Sequence, residues 1–245
     1  MNEVQKIFPH TVIDFGTLNL GGLKFYLVIT DVVITTWLIM LILVLLSLFL
    51  AHNLKIKKPS YRQIVAETVL ITIARAIKQT SGFSVNHFFP LIATFWIFIG
   101  LSNIIGLLPL IDSPTRDISL VISLSLTAFC SVYYFGIKLN GWGFLKVLFE
   151  PNPIFFPINI TGELGKILSL TFRLFGNILG WEIILFILVM LTGFLVPVPL
   201  MIFSILSALI QSYIFGILVL VYIISGLKIE KIEPKYLEKE NWYEL

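Results

Sequence analysis

The chain has little of what a soluble domain needs. Only 13% of its 245 residues are charged and 58% are hydrophobic, whereas a soluble domain is roughly 25% charged and 45–50% apolar. A single cysteine, Cys130, excludes an internal disulfide. A chain this short could not hide so much apolar surface from water, so a lipid bilayer is its natural solvent.

Other absences limit the function. The sequence has no glycine-rich phosphate loop, no internal repeat and no low-complexity segment, and its net charge of +3 is too small to indicate nucleic-acid binding. It lacks H-E-x-x-H, G-x-S-x-G and a paired-aspartate motif, which argues against an intramembrane enzyme. It also lacks the paired halves of many secondary transporters. We therefore expect no catalytic site, no metal and no cofactor on this chain.

Long apolar runs dominate instead. A helix needs about 20 apolar residues to cross a bilayer, and five segments qualify. The last two are unusually long, and the prolines of VPVPL at 196–200 should end one helix before the next begins. The predicted fold is a single all-α, polytopic membrane domain with membrane helices at 26–52, 87–111, 117–138, 161–195 and 199–228.

The segment 59–81 differs from these runs. Its apolar residues recur at helical spacing, but Arg62, Glu67, Arg75 and Lys78 interrupt it. This pattern is typical of an amphipathic helix lying at the membrane surface. A sixth crossing is the alternative.

Lysine and arginine set the expected orientation. They concentrate in the loop after the first crossing, in the loop around 139–160 and in the tail 229–245. Since basic loops stay on the cytoplasmic side, the segment 1–25 is predicted to lie outside and the tail inside. The first residues do not read as a signal or transit peptide. A bacterial inner membrane is the expected location, and an organellar membrane is the alternative.

One helical face of 161–195 is small, polar or basic, while the other faces are Leu, Ile and Phe. At about 100° per residue, this stripe comprises Gly162, Lys166, Ser169, Arg173, Gly176, Asn177 and Gly180. Small residues let another helix pass closely. An arginine in a membrane helix is costly and marks a function by default, although a structural charge paired with an acid is the alternative.

Two further polar residues accompany Arg173. Glu182 follows it by nine residues, about half a turn away, which suggests a separate polar or water-filled space. Gln211 is the only amide in the 29-residue span 199–227 and is a candidate partner for Arg173. A simple hairpin does not place the two at one height, so a tilt or the connection must absorb the difference. A helix–helix hydrogen bond is the plainer interpretation of Gln211.

The stretch SLTFRLFGNILGWEI at 169–183 closely resembles the signature of subunit a of the F-type ATP synthase, the membrane stator channel. FFPLIATFWIFIGLSNIIGLLP, SPTRDISLVISLSL, PNPIFFPINI and ALIQSYIFGILVLVYI resemble further blocks of that family, in the same order. The resemblance runs from about residue 25 almost to the end. It implies that the last two helices form a hairpin tilted against a rotating ring of c subunits.

The resemblance also assigns residues. Arg173 corresponds to the essential arginine, Asn177 to its polar neighbour and Glu182 to the carboxylate of the outer half-channel. Gln211 corresponds to the glutamine that faces the arginine. Further half-channel residues are expected at Asn103, Glu163, Lys166, Ser204 and Tyr222; at Ser204 some members carry a histidine, so a proton path through that group cannot be assumed.

These correspondences imply two aqueous half-channels that carry H⁺ or Na⁺ to and from the c-ring carboxylates, with ATP synthesis coupled to ring rotation. The expected partners are the c-ring, the b subunits of the peripheral stalk and membrane lipid, with no nucleic acid. No nucleotide chemistry is expected on this chain.

Overall fold

A computed structural model describes residues 11–20, 23–52, 54–55, 59–81, 88–106, 113–149, 152–193 and 197–226. The predicted inner tail at 229–245 and the first ten residues of the predicted outer segment lie outside the described residues.

An antiparallel hairpin precedes the first helix. Strands β1 (Thr11–Leu20) and β2 (Leu23–Thr30) pair with Thr11 opposite Thr30 and Leu20 opposite Leu23. The sequence analysis assigned no structure to 1–25 and began the first helix at 26. The chain stays extended through Thr30, because β-branched and aromatic residues suit a paired strand.

Six α-helices follow. Their bounds are α1 (Asp31–Ala51), α2 (Tyr61–Ser81), α3 (Phe89–Ile105), α4 (Ile118–Asn140), α5 (Phe156–Thr192) and α6 (Pro197–Gly226). Short 3₁₀ segments at Pro114–Arg116, Gly141–Phe149 and Pro153–Phe155 precede α4 and link it to α5. Residues at 156–160, predicted to be a loop, already belong to α5.

Four helices of the described chain are long and apolar enough to cross a membrane: α1, α4, α5 and α6. Helix α3 is apolar but has only 17 residues, about 26 Å at 1.5 Å per residue. The chain is a polytopic all-α membrane protein, as the sequence predicts, with the hairpin as an addition before the helices. Helix α2 is not among the four, and it buries Ile73, Ala74 and Ile77 in the shared core.

Helix α6 lies at the centre of the bundle and contacts α2, α3, α4 and α5. Its tightest contact is with α3, where Trp96 Nε1 donates to the carbonyl of Tyr213 at 3.1 Å. A Cβ on Gly216 would lie 1.9 Å from Trp96 Nε1, so only glycine lets this ring approach the helix. The site described below lies where α6 meets α5 and α3.

Candidate functional site

Two contacts fix how α5 and α6 lie against each other. Ser207 Oγ donates to Asn177 Oδ1 at 3.3 Å, and Lys166 Nζ lies 5.5 Å from the centre of the Tyr222 ring. Residues earlier in α5 therefore lie beside residues later in α6, so the two helices form an antiparallel hairpin.

This register determines the height of Arg173 relative to Gln211 along the hairpin. Arg173 precedes Asn177 by four residues and Gln211 follows Ser207 by four, so both lie about 6 Å along their helices from the Asn177–Ser207 contact. Arg173 and Gln211 are therefore nearly level. The hairpin achieves this although α5 continues for 15 residues beyond Asn177 while α6 has only 10 before Ser207.

Arg173 is half-buried on α5. Its Nη2 donates to Ser169 Oγ one turn earlier at 3.4 Å, a long bond to a neutral group. Among the described residues, no carboxylate lies within 4.0 Å of its guanidinium. Gln211 is buried, and its Nε2 has no hydrogen-bond partner in the described chain. The two side chains are level but not joined.

A polar cavity lies on one side of this level, toward the end of α5. The Glu182 cavity, as we name it, has about 40 Å³ accessible to water and lies between α3, α5, α6 and the segment before α4. Four predicted site residues line it together, namely Asn103, Asn177, Glu182 and Ser204. Its other lining residues are Gly106, Ser113, Ile178, Trp181, Ser207 and Ala208.

Polar atoms in this wall lack protein partners. Asn103 Nδ2 and Trp181 Nε1 are buried, and no described residue accepts a hydrogen bond from either. Buried polar groups of this kind are ordinarily satisfied by water. The cavity is polar and roomy enough to hold it.

The segment before α4 anchors the same wall. Thr115 Oγ1 donates to Asn103 Oδ1 at 2.7 Å and lies 2.7 Å from Ser113 Oγ. The next residue, Arg116, places Nη1 3.9 Å from Glu182 Oε2, with only 10% of its side chain exposed against 31% for Glu182. A fixed positive charge thus lies beside the cavity's carboxylate.

A second cavity lies on the other side of Arg173, toward the start of α5. The Glu163 cavity, as we name it, is narrow, with about 10 Å³ accessible to water, and is lined by Glu163, Lys166, Ile167 and Leu170 of α5, with Tyr222 of α6 and residues of α4. Lys166 Nζ donates to Glu163 Oε1 at 2.5 Å. Its walls are more apolar than those of the Glu182 cavity.

Arg173 separates the two cavities along α5. The Glu163 cavity uses α5 up to Leu170, the Glu182 cavity uses it from Asn177, and Arg173 is in neither set of lining residues. Leu174, which is fully buried, also lies in this interval. Arg173 therefore lies between two distinct cavities along α5.

The small residues of α5 face no part of the described chain. A Cβ built on Gly162, Gly165, Gly176 or Gly180 would have nothing within 4 Å. Glycines that serve packing within this chain are crowded, as Gly216 is. The glycines of this stripe are accordingly not used for packing in the described fold, whereas Lys166 and Asn177 of the same stripe contact α6.

Arg116, Ser113 and Thr115 were not among the predicted site residues. Basic residues beside the first turn of a membrane helix usually reach water, so Arg116 gave no local sign of burial. Its burial depends on the chain folding back over α3 and α5. In the sequence, Arg116 follows SPT and is next to Asp117, which is typical of an ordinary pair of charges at a membrane edge.

Comparison with known proteins agrees with this architecture. The family model "ATP synthase A chain" matches residues 33–224. "ATP synthase subunit a" of Legionella pneumophila (strain Paris) is 40% identical over 218 residues, covering 89% of this chain and 93% of the relative. "ATP synthase subunit a 1" of Hahella chejuensis is 39% identical over 211 residues, covering 86% and 88%. "ATP synthase subunit a" of Citrifermentans bemidjiense is 35% identical over 226 residues, covering 91% and 98%. Both the matched span and these identities are extensive, and the chain belongs to the ATP synthase A chain family.

Proposed function

We propose that this chain is the ion-translocating stator subunit of an F-type ATP synthase and that its two cavities are parts of two half-channels. The observation that carries the proposal is the position of Arg173 between the Glu182 cavity and the Glu163 cavity on one helix. An ion pathway that is interrupted by a fixed cation forces the ion to leave through one cavity and enter through the other.

Arg173 is suited to meet a carboxylate from another chain. It has no carboxylate within 4.0 Å among the described residues, yet a membrane segment is a costly place for an unpaired charge. A c-ring carboxylate that arrives opposite Arg173 would lose its ion, because a nearby positive charge favours the ionised form. The guanidinium itself stays charged throughout, because arginine does not release its proton in proteins.

The open stripe on α5 is the proposed path of the ring. A Cβ on Gly162, Gly165, Gly176 or Gly180 would meet nothing within 4 Å in the described chain, which leaves room for the close passage of another helix. The ring carboxylates would then pass Arg173 without meeting bulky side chains. Asn177 and Gln211 are proposed to orient the guanidinium or the passing carboxylate.

The two cavities have different proposed roles. Glu182, beside Arg116 in the more polar cavity, attracts or relays ions in the outer half-channel, with Asn103 and Ser204 in its wall. The inner half-channel is shaped by Glu163, Lys166 and Tyr222.

Each charge that crosses a potential of 100 mV gains about 2.3 kcal/mol, so several ions drive each ATP formed. The ion is H⁺ or Na⁺, and the expected location is a bacterial inner membrane with the C-terminus in the cytoplasm. The peripheral-stalk b subunits are proposed to hold this chain against rotation.

Thiol accessibility in the assembled complex tests this division. Ile178→Cys lies in the Glu182 cavity and Ile167→Cys in the Glu163 cavity, while Leu174→Cys is a fully buried control between them. The native Cys130 is exposed and is first replaced by serine. A small membrane-impermeant thiol reagent should reach Ile178→Cys from the outside only and Ile167→Cys from the inside only. Reaction of both cysteines from the same side would contradict two separate half-channels.

A further inference from the structure

A basic pocket lies at the junction of α1 and α2, away from the proposed ion pathway. Its cavity volume is about 360 Å³, within the range of roughly 300–1,000 Å³ that is usual for small-molecule sites. Its polar wall consists of His52, Lys55, Ser60, Arg62 and Gln63. We call it the α1–α2 pocket.

We propose that the α1–α2 pocket binds the headgroup of an anionic phospholipid. Lys55 and Arg62 contribute two positive charges to its wall, and none of its described lining residues is acidic. The pocket also adjoins the first turn of the 21-residue helix α2, where the helix dipole favours a negative charge. A phosphate group matches both features.

The rest of the wall favours a lipid over a soluble phosphate. Phe49, Leu50 and Leu54 complete the lining. Phe49 and Leu50 belong to the last turn of α1, a helix whose other apolar side chains are largely exposed, as expected against lipid. A ligand with a charged headgroup and an apolar chain would contact both the basic and the apolar residues of the pocket, whereas free phosphate would contact only the basic ones.

The pocket is held by specific contacts. The Gln63 side chain accepts from the Lys55 amide at 3.0 Å and donates to the Lys55 carbonyl at 3.2 Å. The Arg62 guanidinium lies 4.7 Å from the centre of the Phe49 ring. The carboxylate of Glu67 lies one turn further along α2, accepts from Gln63 Nε2 at 2.6 Å, and is not part of the pocket wall. Two cationic residues are thus positioned by neighbours in the fold.

The test compares two double variants of the full-length chain in the purified complex. Lys55→Gln with Arg62→Gln removes the two pocket charges, and Arg75→Gln with Lys146→Gln removes two exposed charges outside it. The delipidated complex is titrated with short-chain phosphatidylglycerol, with phosphatidylcholine and with inorganic phosphate, and bound lipid is quantified by mass spectrometry.

Phosphatidylglycerol should bind the wild type and the control alike and the pocket variant about 30-fold more weakly, since each basic residue near an anionic surface contributes a factor of about five. Equal weakening in both variants, equal binding of phosphatidylcholine, or full replacement of the lipid by inorganic phosphate would overturn the proposal. Loss of a peripheral-stalk subunit without loss of lipid would instead identify a protein-docking site. If the double variant does not assemble, Lys55→Gln alone undergoes the same comparison with Lys146→Gln, with the same outcomes.

Discussion

Arg116 and Glu182 come together from distant parts of the sequence, with Nη1 3.9 Å from Oε2, although one residue precedes α4 and the other lies deep in α5. Glu182 is about one-third exposed and lines the Glu182 cavity, whereas the Arg116 side chain is nine-tenths buried. The distance is longer than the 2.7–2.9 Å of a strong charge-assisted hydrogen bond. The two side chains therefore interact mainly by electrostatic attraction and not by a strong hydrogen bond.

A double-mutant cycle measures this relationship. Arg116→Gln and Glu182→Gln should be coupled by about 1 kcal/mol in the free energy of unfolding in detergent, because one partner is shielded from water and the other only partly. Glu163→Gln with Lys166→Gln is the comparison pair, three residues apart on one helix, and should give roughly 0.3–0.5 kcal/mol, the usual range for such helical pairs. A zero coupling for Arg116 and Glu182 would mean that their proximity has no energetic effect.

Replacing Asn103 with leucine tests whether the Glu182 cavity is hydrated. Asn103→Leu preserves size but removes the acceptor of Thr115 and the unsatisfied Nδ2 group. ATP-driven ion uptake into vesicles should fall by about tenfold, since an apolar wall disfavours water. Ser125→Ala is the control, because Ser125 Oγ is also buried without a described partner but lines neither cavity. Equal uptake by the two variants would argue against a water-filled path past Asn103.

Adding a methyl group should have opposite effects on stability at Gly216 and at Gly180. Gly216→Ala forces its Cβ against the Trp96 ring and should cost about 1–3 kcal/mol of stability, as overpacking does. Gly180→Ala meets nothing within 4 Å and should be neutral or slightly stabilising, because alanine favours helix. Thermal unfolding in detergent compares them, and similar midpoints would contradict the packing of α3 on α6.

A bulky residue on the open stripe should affect function and not folding. A Cβ at Gly176 would meet nothing within 4 Å in the described chain, so we expect the isolated Gly176→Leu subunit to unfold near the wild-type temperature. Ion uptake by the assembled complex should nevertheless fall severalfold if a c-ring helix passes there. Gly143→Leu, which also has nothing within 4 Å but lies outside α5, is the control. Wild-type uptake by Gly176→Leu would place the ring elsewhere.

The helices were predictable because uninterrupted apolar runs and proline punctuation are local signals. The β-hairpin was missed because its second strand continues directly into the apolar run of α1, with only Asp31 to mark the boundary. The level placement of Arg173 and Gln211 also escaped prediction, since it depends on how α5 and α6 cross. Contacts such as Asn177 with Ser207 determine that crossing, and no local pattern reports it. Arg116 was missed for the same reason, because its neighbours are distant in sequence.

Arg173 is proposed to be the gate between two half-channels. The direct test is ATP-driven ion uptake into membrane vesicles by the wild type and Arg173→Ala, with and without Na⁺, and with assembly verified by the amount of soluble ATPase head bound. The variant should assemble fully and drive no uptake, since nothing then separates the two paths or discharges the ring carboxylates. Normal assembly with normal uptake would show that Arg173 is a structural charge and would contradict the proposed mechanism.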